Sequence, residues 1–377
     1  MQLSIIILNY NVRYFLELCV LSVQQAIVNI DAEIIVVDNN SSDDSCAMMK
    51  HKFPNVKLIE NNVNSGFPKG NNIGVESAKG EYICILNPDT VVAEDTFTKI
   101  LAFAEKQKNL GIIGCKLIDG SGNFLPESKR GIPTPFVAFT KIFGWYKFSN
   151  YFGKYYAQHL SENETGKVDT LVGAFMILKR DLYNEIGGFD ENCFMYSDDI
   201  DLSYMALQKG KSNYFFHETT VIHFKGESTV KDETYMKRFQ EAMNFFYRKH
   251  FTVSLFFSLF MNVGIIIFSF IKKFQGKQKT KQKPKNYVLF SDNIQLQQKL
   301  EDVLKQTIEI KKLTQSFSQN EATEIIFDNN KYRFSEIISA MLHCRNKNIS
   351  FKIIPQNTDF MIGSDSSNDR GEVVVIP

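Results

Sequence analysis

The strongest constraint on the fold is a set of three short apolar runs, Leu3 to Leu8, Glu33 to Val37 and Tyr82 to Leu86, followed directly by Asn9, Asp38 and Asn87. Runs this short and this rich in Ile and Val predict strands buried on both faces of a parallel sheet. Between the first two, Val12 to Val28 carries apolar residues at helical spacing. The alternation continues with strand Val56 to Ile59, helix Lys69 to Ala78, helix Glu94 to Lys106 and strand Ile112 to Cys115. Such a βαβ series predicts an α/β fold with a doubly wound parallel sheet.

In YICILNPDTVV, Pro88 lacks the backbone donor that a central strand needs. The strand therefore ends near Asn87 and leaves Asp89 at its carboxyl end, the edge where open α/β sheets bind ligands.

With 377 residues and 44% hydrophobic content the chain can bury a full core and has the length for two or more domains. Global disorder is excluded. The formal net charge of +1 gives no reason to expect a nucleic-acid partner. The six cysteines show neither a CxxC pair nor zinc spacing and read as small core residues in a reducing compartment. Met1-Gln2-Leu3 lacks the basic start of a signal peptide, so the N-terminal domain is expected to stay in the cytosol, with the sequon at Asn163 no more than a polar loop.

After Lys116 the pattern loosens into a Gly, Pro and aromatic-rich stretch, Asp119 to Tyr156, of the kind that holds substrates over such scaffolds. A strand at Thr170 to Leu178, a helix at Asp199 to Gln208 and strands at Asn213 to Phe216 and Thr220 to Phe224 then complete a catalytic-sized domain, residues 1–250. Residues 251–271 carry no charge and meet the length of a bilayer span. With Arg248-Lys249-His250 before them and a lysine-rich linker at 272–285 after, they are expected to form a hydrophobic membrane-associated helix, spanning or in plane. The plain alternative is a buried core helix. Residues 286–377 form a second, smaller α/β unit without a phosphate loop or carboxylate cluster, which suggests a structural or partner-binding role.

Candidate chemistry gathers in a few places. Asp38 at a strand's carboxyl edge suits a ribose hydroxyl or a base N–H, or simply opens an Asx turn. In NVNSGFPKGNNIG, Gly66, Gly70 and Gly74 beside Asn71 and Asn72 let backbone approach a ligand, without Walker spacing. Asp89 suits a cation bridging two phosphates, which needs only one or two protein carboxylates; its ordinary reading is a Pro-Asp turn. Asp198, Asp199 and Asp201 open a helix, where acids cap the end and favour its dipole. At about 100° per residue Asp198 and Asp201 share a face and Asp199 points elsewhere. His223 ends a later strand as a metal or phosphate contact, or as a structural histidine.

Taken in order, SIIILNYN, IIVVDNNSSDDS, NSGFPKGNNIG, ICILNPDT, LVGAFMILKRDLYNEIGGFDENCFMYSDDIDLSYM and VIHFKGEST closely resemble glycosyltransferase family 2, particularly its rhamnosyltransferase-like members, over about Leu3 to Phe251. The resemblance implies a GT-A fold and an inverting transfer from a nucleotide-diphosphate sugar to a hydroxyl. It also implies a lipid-linked or other glycan acceptor in cell-surface polysaccharide synthesis, and the uncharged run 251–271 with its lysine-rich follower is expected to hold the chain at the cytoplasmic face of a bacterial inner membrane. By the same resemblance Asn9, Tyr10, Asp38, Asn39, Gly66, Asn72 and Asn87 bind the nucleotide, and Asp89 and His223 hold Mg²⁺ or Mn²⁺. Asn87 replaces the first acid of the family's DXD-type motif. Asp199 matches the usual base, Asp198 takes the place of the glutamate before it, and Met205 stands where arginine is common. In such a reaction a carboxylate takes the acceptor's proton while a cation offsets charge on the departing diphosphate.

Two other classes compete. A sugar-nucleotide pyrophosphorylase is expected to carry a glycine- and arginine-rich loop after the first strand, where this chain has Asn9-Tyr10-Asn11. A catalytically silent nucleotide-sugar-binding or membrane-scaffold protein suits Asn87 and Met205, whereas Asp89, Asp199 and His223 favour an enzyme.

Overall fold

A computed structural model describes residues 1–134, 137, 145, 153–225, 233–251, 284–313, 321–345, 348–365 and 371–377. The first half runs β1 (Leu3–Asn9), α1 (Arg13–Ala26), β2 (Ala32–Asp38), α2 (Ser45–Lys52), β3 (Lys57–Glu60), α3 (Gly66–Glu76), β4 (Tyr82–Leu86), β5 (Thr90–Val91), α4 (Thr96–Ala104) and β6 (Leu110–Ile118). It continues with β7 (Gly166–Val168), β8 (Phe175–Lys179), α5 (Arg180–Glu185), α6 (Asp198–Gln208), β9 (Ser212–His223) and α7 (Glu233–His250). These strands make one sheet in the order β3-β2-β1-β4-β8-β6-β9-β5, with β7 also on β9. Strands β3, β2, β1 and β4 are parallel, while β8 runs against β4, so the sheet is mixed.

Every residue of β1 and β4 is buried, which is why both read as unbroken apolar runs. Leu3, Ile5 and Ile7 pack with Leu16, Cys19 and Val20 of α1 on one face. Ile6 and Leu8 pack with Val75 of α3 on the other. Gly70 and Gly74 let α3 lie close against this sheet, since a Cβ there would fall 2.4 Å from Leu8 and 2.5 Å from Ile6. Those two glycines serve packing, not the ligand approach that the sequence suggested.

The strands expected at 213–216 and 220–224 are a single β9. Its register against β6 slips between Cys115 and Lys116, opposite Phe216 and Thr220, so the polar residues that looked like a break form an irregularity inside one strand.

A second sheet is built from β10 (Asn286–Phe290), α8 (Ile294–Leu304), β11 (Ile308–Lys311), β12 (Thr323–Asp328), α9 (Phe334–Cys344), β13 (Ile349–Ile354), β14 (Phe360–Gly363) and β15 (Glu372–Val375). Its order is β11-β10-β12-β13-β14-β15, with β11, β10, β12 and β13 parallel and the last two strands antiparallel.

The expected membrane-associated helix at 251–271, and the placement at a cytoplasmic membrane face that depended on it, are corrected. Among the described residues no helix is long and apolar enough to cross a membrane. Of that run only Phe251 is described, and it packs on Tyr204, Phe246 and Tyr247 of the first half. Two of the basic residues before it are engaged within the protein: Lys249 binds Asp190 and Asp201, each at 2.8 Å, and His250 Nε2 lies 2.5 Å from Asp201. The remainder, 252–271, and most of the linker lie outside the described residues.

Lys129 pins the segment at 153–160 to this frame. Its buried ammonium donates to the carbonyls of Tyr156 (3.1 Å), Ala157 (3.1 Å) and Leu160 (2.7 Å), and burial lowers its pKa. Lys129→Met keeps the stem and leaves three carbonyls without that donor. The expected cost is about 1–3 kcal/mol in urea unfolding, with faster amide exchange confined to 153–160.

Candidate active site

The parallel register sets the site. Asn9 is level with Asp38, and Ile7 with Val36 and Leu86, so β1, β2 and β4 end at one edge. Asn9 Nδ2 donates to Asp38 Oδ1 at 2.8 Å and the Ser41 N–H donates to Asp38 Oδ2 at 2.8 Å. Asp38 is thereby a buried brace behind the edge. Its neighbour Asn39 accepts from Asn61, Ser65 N and Ser65 Oγ and donates to Asn64 at 2.9 Å and to the Gly66 carbonyl at 3.2 Å. This network fixes the turn into α3. Gly66 is needed at its start because φ is +83° and a Cβ would lie 2.7 Å from the Phe194 carbonyl.

Pro88 ends β4 as expected, and the chain re-enters the sheet as β5. Thr90 pairs with His223 and the Phe224 N–H donates to the Asp89 carbonyl at 3.0 Å. Asp89 Oδ1 then lies 3.4 Å from His223 Nε2, which is also 3.4 Å from Asn87 Nδ2. Both side chains are buried, yet among the described residues Asp89 Oδ1 and His223 Nδ1 have no hydrogen-bond partner. Buried polar atoms without a partner are costly and call for an occupant.

The third contribution comes from the start of α6. Asp199 Oδ2 accepts from Arg130 Nη2 at 2.6 Å and from the Gly173 N–H at 3.1 Å. Asp198 is also buried but accepts no side-chain donor among the described residues, and its pKa is pushed up to about 7, first by burial and then by the charge of Asp199. The hydrogen-bond partners of the two acids differ, since Arg130 bonds Asp199 and not Asp198. Asp201 does not share their cleft: it turns to Lys249 and His250 and ties α6 to α7. The acids that face one cleft are therefore Asp198 and Asp199, whereas helical spacing had grouped Asp198 with Asp201.

These elements enclose a cleft of about 340 Å³, lined among others by Tyr10, Asn39, Gly66, Asn87, Asp89, Asp198, Asp199 and His223. Asn9 and Asp38 sit behind that lining. Asn72 is elsewhere, donating to the Phe189 carbonyl and Glu191 and accepting from Tyr183. Sequence reading missed Asn64, Phe194, Lys225 and Arg238 of the lining, and Arg130 behind Asp199. For Arg130 the only signal was a basic Lys-Arg pair within an otherwise aromatic loop.

The residues present fit a divalent cation as a half-site. Among the described residues no group of three or more His, Cys, Asp or Glu could hold an ion. Asp89 and His223 would supply two ligands, with the buried Asp89 Oδ1 lacking a hydrogen-bond partner among the described residues, and a diphosphate and water are the kind of oxygen donors that would complete such a shell.

Residues 4–187, just under half of the chain, match the family model described as glycosyl transferase family 2. The chain is 23% identical over 210 residues to an N-acetylglucosaminyl-diphospho-decaprenol L-rhamnosyltransferase of Mycobacterium tuberculosis, covering 53% of this chain and 68% of that protein. It is 26% identical over 212 residues to a low-salt glycan biosynthesis hexosyltransferase of Haloferax volcanii, covering 55% of this chain and 62% of the relative. A mannosyltransferase from Pyrobaculum calidifontis, solved with GDP-Man and Mn²⁺, aligns with a TM-score of 0.47 at 15% identity, over 74% of this chain and 76% of its own.

The raised pKa of Asp198 has a stability consequence. Folded protein holds this proton from the ordinary value of 3.8 up to about 7, while the unfolded chain has already released it. The unfolded state binds fewer protons in that window, so this group makes stability fall as pH rises from about 4 to about 7. Asp198→Asn is expected to remove that slope, measured by chemical denaturation across the window; an unaltered slope contradicts the burial argument.

Proposed function

Because the chain belongs to glycosyltransferase family 2, with distant similarity to rhamnosyltransferase-like enzymes, we propose that its strand-edge cleft binds a nucleotide-diphosphate sugar and passes the sugar, with inversion, to a hydroxyl of a polysaccharide or glycolipid acceptor. One observation carries the reading: Asn39, Asp89, Asp198, Asp199 and His223, from separate stretches of sequence, open on the same cleft. The nucleoside lies toward Asn39 and Asn64, the diphosphate beside Asp89 and His223, and the sugar toward the acid pair. The likeness to the mycobacterial enzyme supports a hexose, rhamnose among the candidates, and a lipid-linked glycan as acceptor.

The residues divide the work. Asp89 and His223 would hold Mg²⁺ or Mn²⁺, which supplies charge neutralisation for a leaving diphosphate. Asn39 and the turn it fixes hold the donor in place, and orientation of this kind is a large part of the acceleration in a single displacement. As the acceptor oxygen bonds to the anomeric carbon and the diphosphate oxygen leaves, a carboxylate takes the hydroxyl proton. Family likeness gives that role to Asp199, which Arg130 orients through its 2.6 Å bond. A second reading is favoured by the pKa of Asp198, about 7, in the range where general bases work. In it Asp198 takes the proton and Asp199, clamped by Arg130, holds it near neutrality.

A panel of nucleotide sugars assayed for metal-dependent release of nucleoside diphosphate tests the function. Wild type is expected to turn over at least one donor, and Asp89→Ala to lose transfer with little change in thermal midpoint; full activity of that variant, with or without chelator, overturns the assignment. In the same assay Asp199→Asn is expected to lower turnover by roughly 10²- to 10⁴-fold while donor affinity persists. If Asp198 is the base, the larger loss falls on Asp198→Asn, and kcat/KM of the wild type climbs about tenfold per pH unit below about 7.

A further inference from the structure

The second sheet is fused to the catalytic half directly behind Asp89. One apolar cluster contains Val91, Ala93, Ile222 and Phe224 from the strands flanking the cleft together with Phe290, Phe327, Phe334, Ile337 and Phe360 from the second unit. Backbones approach closely at its border: a Cβ at Gly120 would lie 2.1 Å from the Ser364 carbonyl, and Ser121 Oγ donates to the Asp365 carbonyl at 2.9 Å. A second polar tie joins Arg345 to Glu162 at 2.8 Å.

At the centre of this joint is Glu94, five residues after Asp89. Its carboxylate accepts from the first two free amides of α9, Phe334 N–H at 2.6 Å and Ser335 N–H at 3.0 Å. Two orphan donors and the positive end of an 11-residue helix make this a strong place for a carboxylate. The chain between the clamp and the cleft has little freedom, since Val91 is fully buried in the joint cluster and Thr90 is locked to His223 and to the Asn87 carbonyl.

We propose that the C-terminal α/β unit is a buttress for the donor site, and that Glu94 is a positioning residue that sets Asp89 against His223 by anchoring β5 to α9. The inference rests on the reading of Asp89 and His223 as cation ligands. It gives residues 286–377, which lie outside the matched family region, a task in the transfer reaction without any ligand of their own.

The test uses the full chain and Mn²⁺ as probe, with free Mn²⁺ read by electron paramagnetic resonance in the presence of a nucleoside diphosphate. Glu94→Ala is expected to weaken Mn²⁺ binding by roughly 2- to 30-fold, the range of coupling carried through a packed contact. Glu94→Gln, which keeps one acceptor and the shape, is expected to lie between it and wild type. Arg345→Ala cuts the same interface at its bond to Glu162, away from β5; it is expected to lower the melting temperature and leave Mn²⁺ affinity unchanged. Should Glu94→Ala fail to fold, Glu94→Gln decides the matter. Unchanged Mn²⁺ affinity in the folded Glu94 variants, or an equal loss in Arg345→Ala, overturns the inference while the cation reading stands. A wild-type chain that takes up no Mn²⁺ overturns both.

Discussion

Everything at the cleft depends on the way the chain leaves the sheet at Pro88 and returns to it at Thr90. A proline cannot extend β4, and the two residues of β5 are too few to hold themselves. They are held by antiparallel pairing with the end of β9, where Thr90 meets His223 and Phe224 bonds the Asp89 carbonyl. This stitch brings a carboxylate and an imidazole from positions 134 residues apart to 3.4 Å. Remove it and the parallel strands still form, but the acid at their edge has no partner and no fixed direction.

The electrostatics of the cleft follow from three buried acids treated differently. Asp199 has a guanidinium, Asp89 has an imidazole beside an unsatisfied oxygen, and Asp198 has neither and holds its proton to about 7. Three ionised carboxylates in one low-dielectric space would repel one another, and these distinct partners spread the charge. A diphosphate entering such a site would bring more negative charge, which is the physical reason to propose a cation at Asp89 and which Lys225 and Arg238 in the lining would also offset.

Much of the architecture was legible because it is written in local periodicity. The runs at 3–8, 33–37 and 82–86 could only be doubly buried strands, and Pro88 marked the end of one of them. The chemistry at Asp89, Asp198, Asp199 and His223 was nominated by residue type at strand and helix ends. Sequence failed where side-chain direction or distant contact decides. Asp201 is one helical turn from Asp198 yet is drawn away by Lys249 and His250 on α7, a helix some 50 residues later. Arg130 reaches Asp199 across 69 residues from a loop without periodicity. Asn72 looked like a ligand contact in a Gly/Asn-rich turn, but it caps the backbone near Phe189. The uncharged run after Lys249 read as a membrane segment because hydropathy cannot show that its first aromatic packs on Phe246 and Tyr247.

The central claim is that the edge formed by β1, β2 and β4 is a donor site assembled around Asp89 and His223. Crystals of the full chain grown with a nucleoside diphosphate and Mn²⁺, with diffraction recorded at the manganese edge, test it most directly. The account predicts one anomalous peak bonded to Asp89, His223 and the diphosphate, with the nucleoside extending toward Asn39 and Asn64. Nucleotide bound elsewhere, or manganese in the cleft without contact to Asp89, would contradict it.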